Sequence, residues 1–166
     1  MLKRNASSKD SSKPGEGQWA TREFAQAPLA DQRLVRRLIT VATDFAQHPT
    51  APLPQACGSW DKTKAAYRFF DNAAVAPAAI LLPHVQSTLA RLRPHPVVLC
   101  AQDTTALNYS PHPQTKDLGP ISNNRDKTIG LLLHSTLALT PPGQPLGLLH
   151  AQTWARARRH FGRSSH

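Results

Sequence analysis

Pro96-Val97-Val98-Leu99-Cys100-Ala101-Gln102-Asp103-Thr104-Thr105 is the stretch on which the fold turns. Its apolar run reads as a buried β-strand over Val97 to Gln102, and Asp103 falls where that strand ends. A carboxylate displayed at a strand end can hold a divalent metal, because hard cations prefer anionic oxygens on a rigid support. One aspartate does not make a metal site. Aspartate followed by Thr-Thr also closes strands by bonding backbone amides in a turn. The residues alone leave both roles for Asp103 open.

Beyond this run, Thr104 to Tyr109 extends the strand or pairs with it, and Ser110 to Lys127 reads as a loop. Ile129 to Leu139 is strongly apolar and stops at Thr140-Pro141-Pro142-Gly143, a turn signal. Leu146 to Trp154 supplies a third strand, so the two runs around the turn form an antiparallel hairpin. Before Arg93-Pro94-His95-Pro96 the texture is helical. Gln18 to Phe24 is a short amphipathic helix. In Leu29 to Gln47, Leu34, Leu38, Val41, Ala42 and Phe45 recur at helical steps, with Asp31 as cap or first-turn acid. Arg33, Arg36 and Arg37 fall off that stripe or at its edge. His48-Pro49 ends the helix, and Pro52-Leu53-Pro54 keeps the link extended.

Ser59 caps a helix from Trp60 to Phe70, with Ala65, Ala66, Phe69 and Phe70 as its apolar face and Lys62, Lys64 and Arg68 outside it. A further helix runs from Pro77 to Leu92, kinked or broken at Pro83. The helices close a core from Trp19, Phe24, Leu34, Leu38, Phe45, Tyr67, Phe69 and Phe70. The class is therefore α+β. Residues 1–17 are a disordered basic leader too poor in large apolar groups to fold. Residues 18–95 are helical, 96–155 form a three-stranded antiparallel meander, and 156–166 are a basic tail.

The 166 residues carry 20 Lys+Arg against 10 Asp+Glu, a net charge of +10 and a sequence pI near 10.5. This favours a polyanionic partner, most often nucleic acid, over a merely solvated basic surface. Residues 1–96 hold 13 basic and 7 acidic side chains, and residues 97–166 hold 7 and 3. Arg156, Arg158, Arg159 and Arg163 are in the tail. Cys57 and Cys100 lie too far apart for metal spacing, and Cys100 reads as packing inside the strand. The eight histidines are scattered, and His134 and His150 read as core or edge residues of strands. Met1 to Gln18 lacks the apolar segment of a secretory signal. The longest apolar runs are too short to span a bilayer, which points to a soluble, reducing, intracellular setting.

Two groups of cations suit DNA. A helix with Lys62, Lys64 and Arg68 on one side can enter a major groove, where phosphates attract it and long side chains reach base edges. The plain alternative is a solvated helix face. Arg33, Arg36 and Arg37 can clamp phosphates, because the planar guanidinium meets oxygens in pairs.

In order along the chain come Trp19-Ala20 with Phe24, Asp31-x-Arg33-Leu34-x-x-Arg37-Leu38, Lys64-Ala65-Ala66-Tyr67-Arg68-Phe69-Phe70-Asp71-Asn72 and Gln102-Asp103-Thr104-Thr105. Gly130-Leu131-Leu132-Leu133-His134-Ser135 and Gly147-Leu148-Leu149 with Trp154 follow. This series resembles bacterial cut-and-paste insertion-sequence transposases of the DDE superfamily, in the branch with a Tyr-Arg-Glu-Lys signature. The resemblance covers Trp19 to Trp154. It implies a small helical domain that binds transposon ends, at Arg33, Arg36, Arg37, Lys62, Lys64 and Arg68. An RNase H-like catalytic core follows in the family, where three carboxylates hold two divalent ions, Mg²⁺ or Mn²⁺, for in-line attack at phosphorus.

Asp103 matches the first of those carboxylates, both as catalytic residue and as metal ligand. The second aspartate and the glutamate find no match, because Asp117 and Asp126 stand in the loop before the second strand, the wrong place for either. The expectation is thus a truncated transposase with an incomplete RNase H-like core. It binds the terminal inverted repeats of a transposon as double-stranded DNA, holds no metal tightly and is inactive alone. Intact transposase is a second candidate partner, no membrane is involved, and the location implied is the bacterial cytoplasm at the nucleoid. Three alternatives stay open: catalysis in trans with a separately encoded remainder, regulatory inhibition of intact transposase, and a pseudogene product.

Overall fold

The structure, a computed structural model, describes residues 18–112, 114–122 and 128–157. Its contacts divide the chain into two units, residues 1–83 and 84–166, with the division inside one helix.

The first unit holds α1 (Gln18–Phe24), α2 (Gln32–Gln47), α3 (Leu53–Cys57), α4 (Trp60–Phe70) and the start of α5 (Pro77–Leu92). Asp31 caps α2 by accepting a 2.7 Å hydrogen bond from the Arg33 amide. Ser59 caps α4 by accepting from the Lys62 amide at 3.3 Å. The link expected to be extended contains α3 instead. Pro54 sits in its first turn, where a missing N–H costs nothing, and Gly58 at φ 70° stops it in the left-handed region. α5 continues through Pro83 without a break.

Two small clusters make the core of this unit. Ala27, Leu38 and Phe69 pack with Phe24, Leu29, Leu34, Val75 and Ile80. Val41, Cys57 and Ala66 pack with Phe45 and Leu53. Val35 is more deeply buried than Leu34, so the stripe of α2 is turned slightly from the expected one. On α4 the inward positions are Thr63, Ala66 and Phe69. Small residues at two of them let the helix lie close to its neighbours. Trp19, Tyr67 and Phe70, expected in the core, are instead 39%, 54% and 47% exposed. Phe70 still stacks on Phe45 with ring centroids 6.4 Å apart. Asp44 is buried on α2 and meets the Lys62 ammonium of α4 at 2.9 Å.

The second unit is an antiparallel sheet of β1 (Leu99–Asn108), β2 (Gly119–Pro120), β3 (Ile129–Leu139) and β4 (Pro145–Trp154). β3 is central, β1 pairs along one side of it, and β4 and the two-residue β2 pair along the other. The three long strands form the expected meander, and β2 arises in a stretch expected to be loop.

Two expectations about the first strand are corrected. Asp103 does not end it: β1 runs on to Asn108, and Asp103 pairs with Ser135 near its middle. Thr104 and Thr105 are β-branched and continue a pleated strand rather than close it. Nor is the strand buried. Every residue of β1 except Leu107 is exposed, Cys100 included, so side chains on both of its faces meet solvent, and among the described residues β1 is bonded to β3 alone. His134 behaves as a satisfied strand residue, its Nδ1 lying 2.8 Å from Thr104 Oγ1 across the pair.

The β3–β4 turn is closed by Gly143 donating to the Thr140 carbonyl at 2.8 Å and by Thr140 donating to the Gln144 carbonyl at 2.9 Å. Gly143 takes φ 92°, which favours glycine. The C-terminal half of α5 grips β4 nearby. His84 Nε2 accepts from the Leu148 amide at 2.9 Å, and Arg91 Nε donates to the Leu146 carbonyl at 2.6 Å. Between those two bonds Gly147 sits at φ 140°, where a Cβ would fall 2.2 Å from Oγ1 of fully buried Thr88. The leader to residue 17, Asp126, Arg158, Arg159 and Arg163 lie outside the described residues.

Gly147→Ala should therefore lower stability by about 2–3 kcal/mol, through backbone strain and the clash with Thr88. Urea unfolding followed by circular dichroism measures this. Lys62→Gln should cost about 1–2 kcal/mol in the same assay, between the values of exposed and buried ion pairs.

Candidate nucleic-acid interface

Helices α2 and α4 each present cations one turn apart, Arg33 and Arg37 on the first, Lys64 and Arg68 on the second. Side chains four residues apart on a helix lie on one face. Core packing of Leu38 against Phe69 turns those two faces toward each other. The result is an open groove of about 450 Å³ lined by Arg33, Arg37, Lys64 and Arg68. Leu34, Ala65 and Phe69 supply apolar lining, and Asp61 and Asn72 supply polar groups. A neighbouring depression of about 330 Å³ is lined by Arg33, Arg36, Arg37 and Thr40.

Five of the six cations singled out in the sequence thus gather on this surface. Arg33 is held at the start of α2, where Nε lies 3.0 Å and Nη2 2.9 Å from Asp31 Oδ2. Its side chain remains 82% exposed, so further guanidinium donors face solvent. The backbone amide of Arg33, more than its guanidinium, holds the Asp31 carboxyl below the usual range. The cap is therefore fully formed at neutral pH and is lost as the pH falls through that lowered value. The sixth cation, Lys62, is set apart. One residue pair along α4 from Lys64, it projects toward the core side and meets Asp44 at 2.9 Å.

Of the four aromatics on α4 only Phe69 is buried; Tyr67 and Phe70, expected in the core, are about half exposed, and Trp60 is more exposed still. Trp60 is 74% exposed and Tyr67 54% exposed. The signal was present in the spacing: Trp60, Lys64 and Tyr67 stand at i, i+4 and i+7, away from Ala66 and Phe69.

Asp103 has no comparable company. Thr105 Oγ1 donates to Asp103 Oδ2 at 3.2 Å, and Ser135 is its cross-strand neighbour. Asp117 is in the loop before β2 at φ 58°. Among the described residues no group of three His, Cys, Asp or Glu side chains could hold a metal ion. This donor set does not fit a pair of divalent ions, which needs several carboxylates on shared coordination positions. Also among the described residues, no helix is long and apolar enough to cross a membrane.

The basic groove and the helices that frame it fall inside a recognised family segment. Residues 16–75 match the family described as transposase DNA-binding, which supports a DNA-binding, transposase-related role for the helical unit.

Proposed function

We propose that this chain recognises transposon-end DNA, with the α2–α4 groove as the contact surface. The observation that carries this is the convergence of Arg33, Arg37, Lys64 and Arg68 on one open groove inside the matched segment. Arg36 extends the same surface. Guanidinium groups meet phosphate oxygens in pairs, and neutralising the phosphates releases condensed counterions. The ligand proposed is the terminal inverted repeat of an insertion sequence of the DDE superfamily. Lys62 serves the domain by tying α4 to α2 through Asp44 rather than by facing the groove.

In the same reading the sheet is the beginning of an RNase H-like core, and Asp103 corresponds to its first carboxylate. Here its Oδ2 accepts a hydrogen bond from Thr105, and Asp103 would contribute a single carboxylate to such a core. The chain then binds ends and leaves strand chemistry to intact transposase, which is also its proposed protein partner.

Arg37→Ala and Arg68→Ala should each flatten the plot of log affinity against log salt by about one unit. Fluorescence anisotropy with a labelled terminal-repeat duplex measures the slope, and Lys62→Gln should leave it unchanged. Equal affinity for a scrambled duplex at moderate salt would remove the claim of sequence recognition.

With Mg²⁺ or Mn²⁺ added, the chain alone should neither nick nor transfer terminal-repeat DNA. A supercoiled-plasmid nicking assay tests this. Cleavage that disappears in Asp103→Asn would show a complete catalytic set where one carboxylate has been identified.

A further inference from the structure

We infer that Trp60 is a base-contacting residue that sets DNA sequence preference, distinct from the cations that hold phosphates; this rests on the DNA-binding function proposed above. A tryptophan is one of the largest apolar side chains, and leaving it 74% exposed keeps a large apolar area in water. Nothing in the helix requires this, because α4 is capped by Ser59 and packs through Thr63, Ala66 and Phe69. Trp60 is the first residue of α4, directly after the short α3 and the Gly58-Ser59 turn. Two helices joined by a glycine-bearing turn are the frame in which a second helix presents its first residues to base edges.

Charge decides the occupant. Lys64 lies one turn beyond Trp60 on the same side, and Arg68 one turn beyond Lys64 borders the basic groove. An exposed indole one turn from Lys64, itself part of the open basic groove, fits a duplex better than an apolar protein surface, which would leave those cations desolvated. When Arg33, Arg37 and Arg68 engage phosphates, the indole at the start of α4 meets the groove floor. There it can press on a thymine methyl or a base edge. Tyr67, 54% exposed, stands two turns along the same stripe.

The test uses the full chain and a pool of duplexes with a randomised central segment, selected by binding and read by sequencing. Wild-type protein should enrich a defined sequence. Trp60→Ala should lose preference at one or two adjacent positions, with about tenfold less discrimination between selected and random duplex, while its salt slope stays that of wild type. If Trp60→Ala enriches the wild-type sequence with undiminished preference while Arg68→Ala weakens all duplexes, the inference about Trp60 fails and DNA binding stands. If neither wild type nor variant binds the pool, both fail. A Trp19→Phe, Trp154→Phe double variant leaves Trp60 as the reporter. Bound duplex should shield its fluorescence from acrylamide several-fold, and unchanged quenching in a complex confirmed by anisotropy overturns the contact.

Discussion

The contact of Leu38 on α2 with Phe69 on α4 governs the helical unit. Phe69 is 2% exposed, and beside it Thr63 and Ala66 are small enough to let the two helices approach. That approach does two things at once. It removes apolar area from water, and it fixes the rotation of both helices. Once Leu38 and Phe69 face each other, Arg37 and Arg68 flank the seam. The groove is thus a by-product of core packing, and its charge is placed by side chains that contribute little to the core.

Holding four cations along one seam carries an electrostatic cost, since like charges repel. Asp61 in the groove and Asp31 at its end reduce that cost, the first as a lining residue and the second by bonding Arg33. Lys62 is withdrawn from the set by buried Asp44. A polyanion lying along the groove would relieve the remaining repulsion, which is why the surface suits DNA more than a neutral partner.

Local chemistry made much of this legible in the sequence. Ser59 and Asp31 are caps because their side chains reach nearby amides, and both were readable from residue type and position. The Pro-Pro-Gly turn and its two apolar flanks fixed the β3–β4 hairpin. What was not legible depended on rotation and on neighbours. Apolar spacing located the α2 stripe but not its turn toward Val35, and aromatic character suggested burial for Trp19, Tyr67 and Phe70 where packing left them partly outside. Lys62 and Lys64 look alike in sequence, and only the position of Asp44 separates them. The apolar texture of Val97 to Ala101 implied a covered strand, but coverage is a property of the layers around a strand. Asp103 seemed to end that strand because aspartate disfavours strands, a preference that ten cross-strand partners on β3 override.

The position of Asp103 has a consequence for how the sheet meets other chains. Among the described residues β1 is paired along one edge only, and an open edge of apolar and small polar residues is a template on which another strand can add. Asp103 is the one charged residue among the ten of that strand. Near the middle of it, the carboxylate lies within one residue of its own counterpart in a centred antiparallel pairing of two copies, and like charges that close are destabilising. A charge in that position opposes edge-to-edge pairing wherever the edge is open to another chain. Neutralising it would leave the ten residues of β1 without a charge.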